Sequence, residues 1–140
     1  MTEDAPAPSS APPRNLNEAL GMEIGEFDDE RITGSFQVAD RVRQPFGIVH
    51  GGAYAAFAET LASVGTYFAV QANGEIAMGQ NNDTSFLRPI SSGTVHATGT
   101  RRHRGRTTWV WDFDFTDDEG RVCAISRVTI AVRPAPPSSA

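Results

Sequence analysis

The chain's chemistry-bearing residues gather around one acidic side chain in an uncharged stretch. In His50-Gly51-Gly52-Ala-Tyr-Ala-Ala-Phe-Ala-Glu59-Thr-Leu-Ala-Ser63, Glu59 is the only charged residue between Gly51 and Gln71. A carboxylate among apolar neighbours is costly unless it is hydrogen-bonded, neutralised or employed, so a buried and employed glutamate is expected. Ser63 follows four residues later on the same helical face, where its hydroxyl is expected to meet the carboxylate or a shared water. Gly51 opens the helix and leaves a backbone N–H free at the positive end of the dipole, where an oxyanion would sit. Just upstream, Arg43-Gln44-Pro45-Phe46-Gly47-Ile48-Val49 offers a second donor, the Gln44 amide. A carboxylate, a hydroxyl and two oxyanion donors on one helix and its lead-in describe an acyl-transfer site.

Other reactive side chains have plainer readings. His50, beside a glycine pair, is expected to fix the loop by hydrogen bonding rather than to serve as the base. Neither His96 nor His103 stands at metal-ligand spacing from it, so no metal is expected. Cys123 lies mid-strand without a paired histidine and is assigned to the core. Trp109 and Trp111 are assigned to packing because they share a face with Phe113 and Phe115.

These residues need a helix and a sheet to position them. A short helix is expected over Leu16 to Leu20, strands over Met22 to Phe27 and Arg31 to Val38 around an Asp28-Asp29 turn, and the central helix from Gly51 to Gln71. After the Asn73-Gly74 turn signal, strands are expected over Ile76 to Leu87, Gly93 to His103 and Thr107 to Thr116. Within the last of these, Trp109, Trp111, Phe113 and Phe115 alternate with polar residues and should cover the helix. Asp117-Asp118-Glu119-Gly120 reads as a hairpin turn. In the final strand Val122, Ala124, Ser126, Val128, Ile130 and Val132 are expected on one face. One helix with a run of antiparallel strands makes the fold class α+β.

At 140 residues the chain holds one domain. Residues 1–13 and 134–140 are rich in Ala, Pro and Ser and are expected to be disordered tails around a domain at 14–133. With 12 basic against 17 acidic side chains, general nucleic-acid binding is disfavoured. The lone Cys123 and the missing charged-then-apolar leader pattern point to a cytoplasmic protein. Ala53 to Val70 approaches membrane length, but Glu59, Thr60, Ser63, Gly65 and Thr66 interrupt it, so a core helix rather than a membrane span is expected.

Taken in order and spacing, Gln44, Gly47, His50, Gly51, Gly52, Glu59 and Ser63 resemble the hotdog-fold acyl-CoA thioesterases that act from a helix glutamate. Within that family the chain is most similar to the PaaI-like, Arthrobacter-type 4-hydroxybenzoyl-CoA thioesterases. Gly79-Gln-Asn-Asn-Asp-Thr-Ser-Phe-Leu-Arg-Pro89, Thr107-Thr-Trp-Val-Trp-Asp112 and Ile130-Ala-Val-Arg-Pro134 extend the likeness over about Gly21 to Pro134. The resemblance implies a hotdog fold, an antiparallel sheet wrapped around one long helix. It also implies hydrolysis of an aryl-CoA or related acyl-CoA thioester without a cofactor, with Glu59 as nucleophile or general base. Gly51 and Gln44 would polarise the carbonyl, Ser63 would orient the carboxylate or water, and His50 would shape the loop.

For the phosphates of coenzyme A the resemblance implies Arg88, Arg106, Thr107 and Thr108, with Ser85 and Arg102 as further contacts. It implies a homodimer with sheets joined edge to edge and the site between protomers, or a homotetramer as a dimer of dimers. The chain departs from the pattern at Ser63, where a threonine is usual; at Val64, where the 4-hydroxybenzoyl enzymes carry an acidic residue; and at Arg106, where they carry a serine. An apolar Val64 lowers the expected discrimination for a phenolic acyl group. The alternatives are a non-hydrolytic acyl-CoA-binding hotdog protein, which has no need of Glu59 beside Ser63, and a hotdog hydratase, which would want an Asp/His pair.

Overall fold

The computed structural model describes residues 11–138. The outermost parts of both expected tails, residues 1–10 and 139–140, lie outside the described residues. A short helix α1 (Leu16–Ala19) starts at Asn15, whose side chain accepts from the Glu18 N–H. It is tied to the long helix by a 2.8 Å hydrogen bond from the Thr60 hydroxyl to the Asn17 side-chain oxygen.

The long helix α2 (Gly51–Val70) is capped by His50. It ends through a short 3₁₀ turn at Gln71–Asn73 and Gly74, whose φ of 71° is open to glycine at little cost. Ala53, Tyr54, Phe57, Ala58, Leu61, Ala62, Gly65, Thr66 and Val70 form its buried stripe. At Gly65 the helix comes close enough to the sheet that a Cβ would stand 2.9 Å from the Trp111 ring. The Trp111 indole N–H donates to the buried Thr66 hydroxyl at 3.0 Å, so helix and sheet are locked in register at that point.

The strands are β1 (Glu23–Phe27), β2 (Arg31–Gln37), β3 (Glu75–Phe86), β4 (Thr94–Arg104), β5 (Thr108–Thr116) and β6 (Val122–Pro134). They form one six-stranded sheet in the order β1-β2-β4-β5-β6-β3, antiparallel throughout. Trp109, Trp111, Phe113 and Phe115 are all buried and face α2 as their alternation requires. The antiparallel sheet wrapped on one helix is the expected hotdog architecture. Because the order ends at β3, this long strand offers its outer edge to solvent, and an exposed edge of that length is a template for pairing.

Two departures from expectation have local causes. β6 carries an extra residue opposite β5: Phe115 pairs with Ala124 and Thr116 with Val122. The bulge turns Cys123 inward and leaves Val122 40% exposed, so Val122 does not share the buried face with Ala124, Ser126, Val128, Ile130 and Val132. β6 also runs through Pro134, and the Ala135 N–H donates to the Gly74 carbonyl at 2.8 Å. Pro134 fits there opposite Glu75, at the strand end where its missing N–H costs little.

Candidate active site

The N-terminus of α2 is built by the loop before it. His50 Nδ1 accepts from the Gly52 N–H at 2.8 Å, and the His50 N–H donates to the Val42 carbonyl at 2.7 Å. With Nδ1 so occupied, the imidazole caps the helix. Gln44 and Gly47 close a tight turn, with Gly47 at φ 88° and its N–H on the Gln44 carbonyl at 2.9 Å. The Gln44 side-chain oxygen accepts from the Phe46 N–H, which leaves the amide NH₂ as the free end. Among the described residues the Gly51 N–H has no partner, and no acidic residue occupies the first turn to neutralise the dipole. A Cβ at Gly51 would lie 2.7 Å from the tip of the exposed Phe86 ring, which would have to move to admit it.

Gln44 and Gly51 line one cavity of about 380 Å³ together with Ile48, Tyr54, Phe86 and Arg88. Cys123 forms part of its floor, and its thiol donates to the Phe115 carbonyl at 3.1 Å. Burial pushes the Cys123 thiol and the Tyr54 hydroxyl up from their ordinary values, so both stay protonated near neutral pH. Tyr54 and Phe86 were not anticipated as site residues. Tyr54 stands three places after Gly51, the spacing that brings side chains together on a helix.

Glu59 departs from expectation. In the single chain it is exposed rather than buried, and among the described residues its carboxylate makes no hydrogen bond or ion pair, with Ser63 included. Its apolar helix neighbours are mostly alanines, which turn into the core on one side only. The carboxylate lies across β3 above Gly79, where a Cβ would come within 2.5 Å of its oxygen. At that point β3 is bulged, with Gly79 opposite Ile130 and Asn81 opposite Thr129. The Asn82 amide pins the strand to α2 through a 2.8 Å bond to the Ala55 carbonyl. Glu59 shares a second recess, of about 360 Å³, with Asn17, Thr60, Ser63 and Val64.

The two recesses do not merge within one chain. Gly51 and Glu59 are eight residues apart, about 12 Å along a helix and roughly 80° around it. One thioester carbonyl cannot be within reach of both groups of the same helix, since reacting atoms must approach to about 3–3.5 Å.

The basic side chains also separate. Arg88 is on the rim of the Gly51 cavity. Arg106, Thr107 and Thr108 occupy the turn between β4 and β5, at the other end of the sheet from the Gly51 cavity. There the Thr107 carbonyl accepts from Val132 N–H at 2.9 Å and from Arg133 at 2.8 Å. Arg101 and Arg104 both bind Asp29 and cover the Trp109 ring. Arg102 is 3.4 Å from Asp112, a carboxylate that Arg127 holds bidentately and keeps below its ordinary pKa. Ser85 lies in a shallow groove on the sheet with Asp83, Asp112, Asp114 and Arg127, a poor setting for a phosphate. Of Arg101, Arg102, Arg104 and Arg106, only Arg106 is left with no partner among the described residues.

The sequence profile of the thioesterase superfamily matches residues 46–124, which include the α2 N-terminus, Glu59 and most of the sheet. The chain belongs to the thioesterase superfamily. The thioesterase PA1618 of Pseudomonas aeruginosa is 37% identical over 96% of this chain and 92% of its own length. The crystal structure of a mutant of it superposes with a TM-score of 0.83 over 86% of this chain and 87% of that one, at 38% identity. The proofreading thioesterase EntH of Cronobacter turicensis is 37% identical over 84% of this chain and 85% of its own. A 1,4-dihydroxy-2-naphthoyl-CoA hydrolase of Listeria monocytogenes is 35% identical over 84% and 95%. This superfamily member is a thioester hydrolase, which sets aside the non-hydrolytic and hydratase alternatives. Among the described residues, no helix of the thioesterase is long and apolar enough to cross a membrane.

Proposed function

We propose that the chain hydrolyses an acyl-CoA thioester, with an aryl-CoA of the 4-hydroxybenzoyl kind as the favoured class, and that each site is shared between two copies. The observation that carries the reading is the free Gly51 N–H beside the Gln44 amide on one cavity wall, with an unpaired Glu59 about 12 Å further along the same helix. In a two-fold assembly, Gly51 and Gln44 of one protomer polarise the carbonyl while Glu59 and Ser63 of its partner act on the carbonyl carbon. The open edge of β3, which passes directly under Glu59, supports edge-to-edge pairing as the contact that joins them. A dimer of dimers extends the same arrangement.

The carboxylate has two balanced routes. As general base, Glu59 takes a proton from water, the water oxygen attacks the carbonyl carbon, and the C–S bond breaks as the coenzyme A thiolate takes up a proton. As nucleophile, Glu59 attacks the carbonyl directly, expels the thiolate and leaves a mixed anhydride that water then hydrolyses. Either route yields the free acid and coenzyme A. No cofactor has a part in either. Arg88 and Arg106, both exposed and unpaired among the described residues, are assigned to the coenzyme A phosphates with Thr107 and Thr108. Ser85 and Arg102 are lesser contacts, since both face Asp112 and its neighbours. Two of the relatives support a thioester substrate: one is named a proofreading thioesterase and one acts on 1,4-dihydroxy-2-naphthoyl-CoA. The test is thiol release over a panel of aryl- and alkyl-CoA thioesters. Turnover of aryl-CoA members is expected, and a protein that cleaves none of the panel contradicts the reading.

A further inference from the structure

Tyr54 lines the cavity beside Gly51, and among the described residues only the Cys123 thiol stands near enough to its hydroxyl to interact with it. Tyr54 is 3% exposed, and among the described residues its hydroxyl oxygen has no hydrogen-bond partner. The Cys123 thiol next to it gives its own proton to the Phe115 carbonyl at 3.1 Å, and a thiol sulfur is only a weak acceptor. A buried hydroxyl left unpaired costs free energy that a phenylalanine of the same shape would avoid.

The position of the side chain gives the hydroxyl a use. Tyr54 is one turn after Gly51, and helical side chains lean toward the N-terminus, so the ring stands beside the free N–H of Gly51. Its orientation is fixed by edge-on contacts with Phe115 at 5.4 Å and Phe36 at 6.0 Å, and Phe86 covers it at 6.2 Å. The remaining walls, Ile48, Val49 and Ile90, are apolar and suit a flat hydrocarbon body. Val64, the other position expected to bear on the acyl group, lies in the separate recess with Glu59 and has no polar atom to offer.

We infer that Tyr54 is a specificity-determining residue: its hydroxyl donates to an oxygen carried by the acyl group, and the substrate is an aromatic or similarly flat acyl thioester bearing a hydroxyl or keto oxygen. The inference rests on the proposed thioesterase reading, in which Gly51 and Gln44 hold the carbonyl at this cavity. No bond is made or broken in the step; the gain is a hydrogen bond that only oxygenated acyl groups can supply.

The test compares the full-length protein with its Tyr54→Phe variant on benzoyl-, 3-hydroxybenzoyl- and 4-hydroxybenzoyl-CoA, and on equilibrium binding of the three free acids. The native protein is expected to favour at least one hydroxylated member, in both kcat/KM and acid binding, by roughly 10- to 100-fold. Tyr54→Phe is expected to bring that ratio to within about 3-fold of unity, with no appreciable fall in Tm, since among the described residues the hydroxyl it removes has no neighbour stronger than the weakly accepting Cys123 thiol. A purely structural tyrosine would depress all three substrates together and leave the ratio unmoved. An unchanged ratio, equal acid binding by the native protein, or a lowered Tm in the variant each overturns the inference. Failure of the thioesterase reading itself is distinct: none of the three thioesters would be cleaved, while acid binding would still report on Tyr54.

Discussion

The two ends of the site along α2 are built in opposite ways. At the N-terminal end every group is held: His50 caps Gly52, the Gln44 oxygen is occupied by Phe46 N–H, and Phe86 packs on Gly51. Two turns further on, Glu59 is exposed and partnerless among the described residues, above a bulged edge strand. The donors are preorganised within one chain, as oxyanion stabilisation requires. On the proposed reading the carboxylate is left open to face a second chain and a substrate.

If the open carboxylate supplies the chemistry, removing its charge has the largest effect of any single change. Glu59→Gln is expected to fold with an unchanged Tm and to lose at least ~10²-fold in turnover. Near-native hydrolysis by the folded variant would break the contrast between the two ends. The next effect sharpens the contrast geometrically. Gly79→Ala places a methyl where a carboxylate oxygen now lies; the flexible end of Glu59 gives way more readily than the strand. Stability should fall by no more than about 1 kcal/mol, while kcat drops on the order of 10- to 10²-fold from misplacement of the carboxylate. A circular-dichroism melt and steady-state kinetics on the same preparation check both halves.

The basic residues extend the comparison to the nucleotide. Arg106→Ala is expected to raise KM for intact coenzyme A thioesters about 10-fold and to leave a pantetheine thioester, which lacks the nucleotide, within ~2-fold. Equal loss on both would place the arginine outside the phosphate site. The smallest effect concerns the recess around Glu59. Val64 offers an incoming acyl group no hydrogen bond, so benzoyl-, phenylacetyl- and 4-hydroxybenzoyl-CoA are expected to differ in kcat/KM by about two orders of magnitude or less. A preference far beyond that range would require a polar partner in addition to the single hydroxyl of Tyr54.

Much of the fold is legible in the chain because period and punctuation agree. The alternation from Trp109 to Phe115, the Gly51 start, the Gly74 stop and the Asp117-to-Gly120 turn each locate an element to within a residue or two. The Cys123 bulge is not legible, because it depends on how β6 registers against β5 rather than on its own residues. In the site, the His50 cap and the tight turn from Gln44 to Gly47 follow from local sequence, since caps and tight turns are local structures. The exposure of Glu59 does not. An apolar neighbourhood reads as burial, but α2 buries only one stripe of its surface and Glu59 lies outside it. Tyr54 escapes notice for the converse reason: it matches the apolar stripe of α2 so well that its hydroxyl, three residues from Gly51, is read as packing.

On the proposed reading, Glu59 of one chain acts on a carbonyl held by Gln44 and Gly51 of another. Co-expression of Glu59→Gln with Gln44→Ala, each expected to be nearly inactive alone, tests it most directly. With random assortment half of the dimers are mixed, and each mixed dimer contains one site with both native groups. Thiol release is then expected to recover to about a quarter of the native level. Activity that stays at the level of the two parent variants, in a preparation shown to contain the mixed dimer, would contradict the claim.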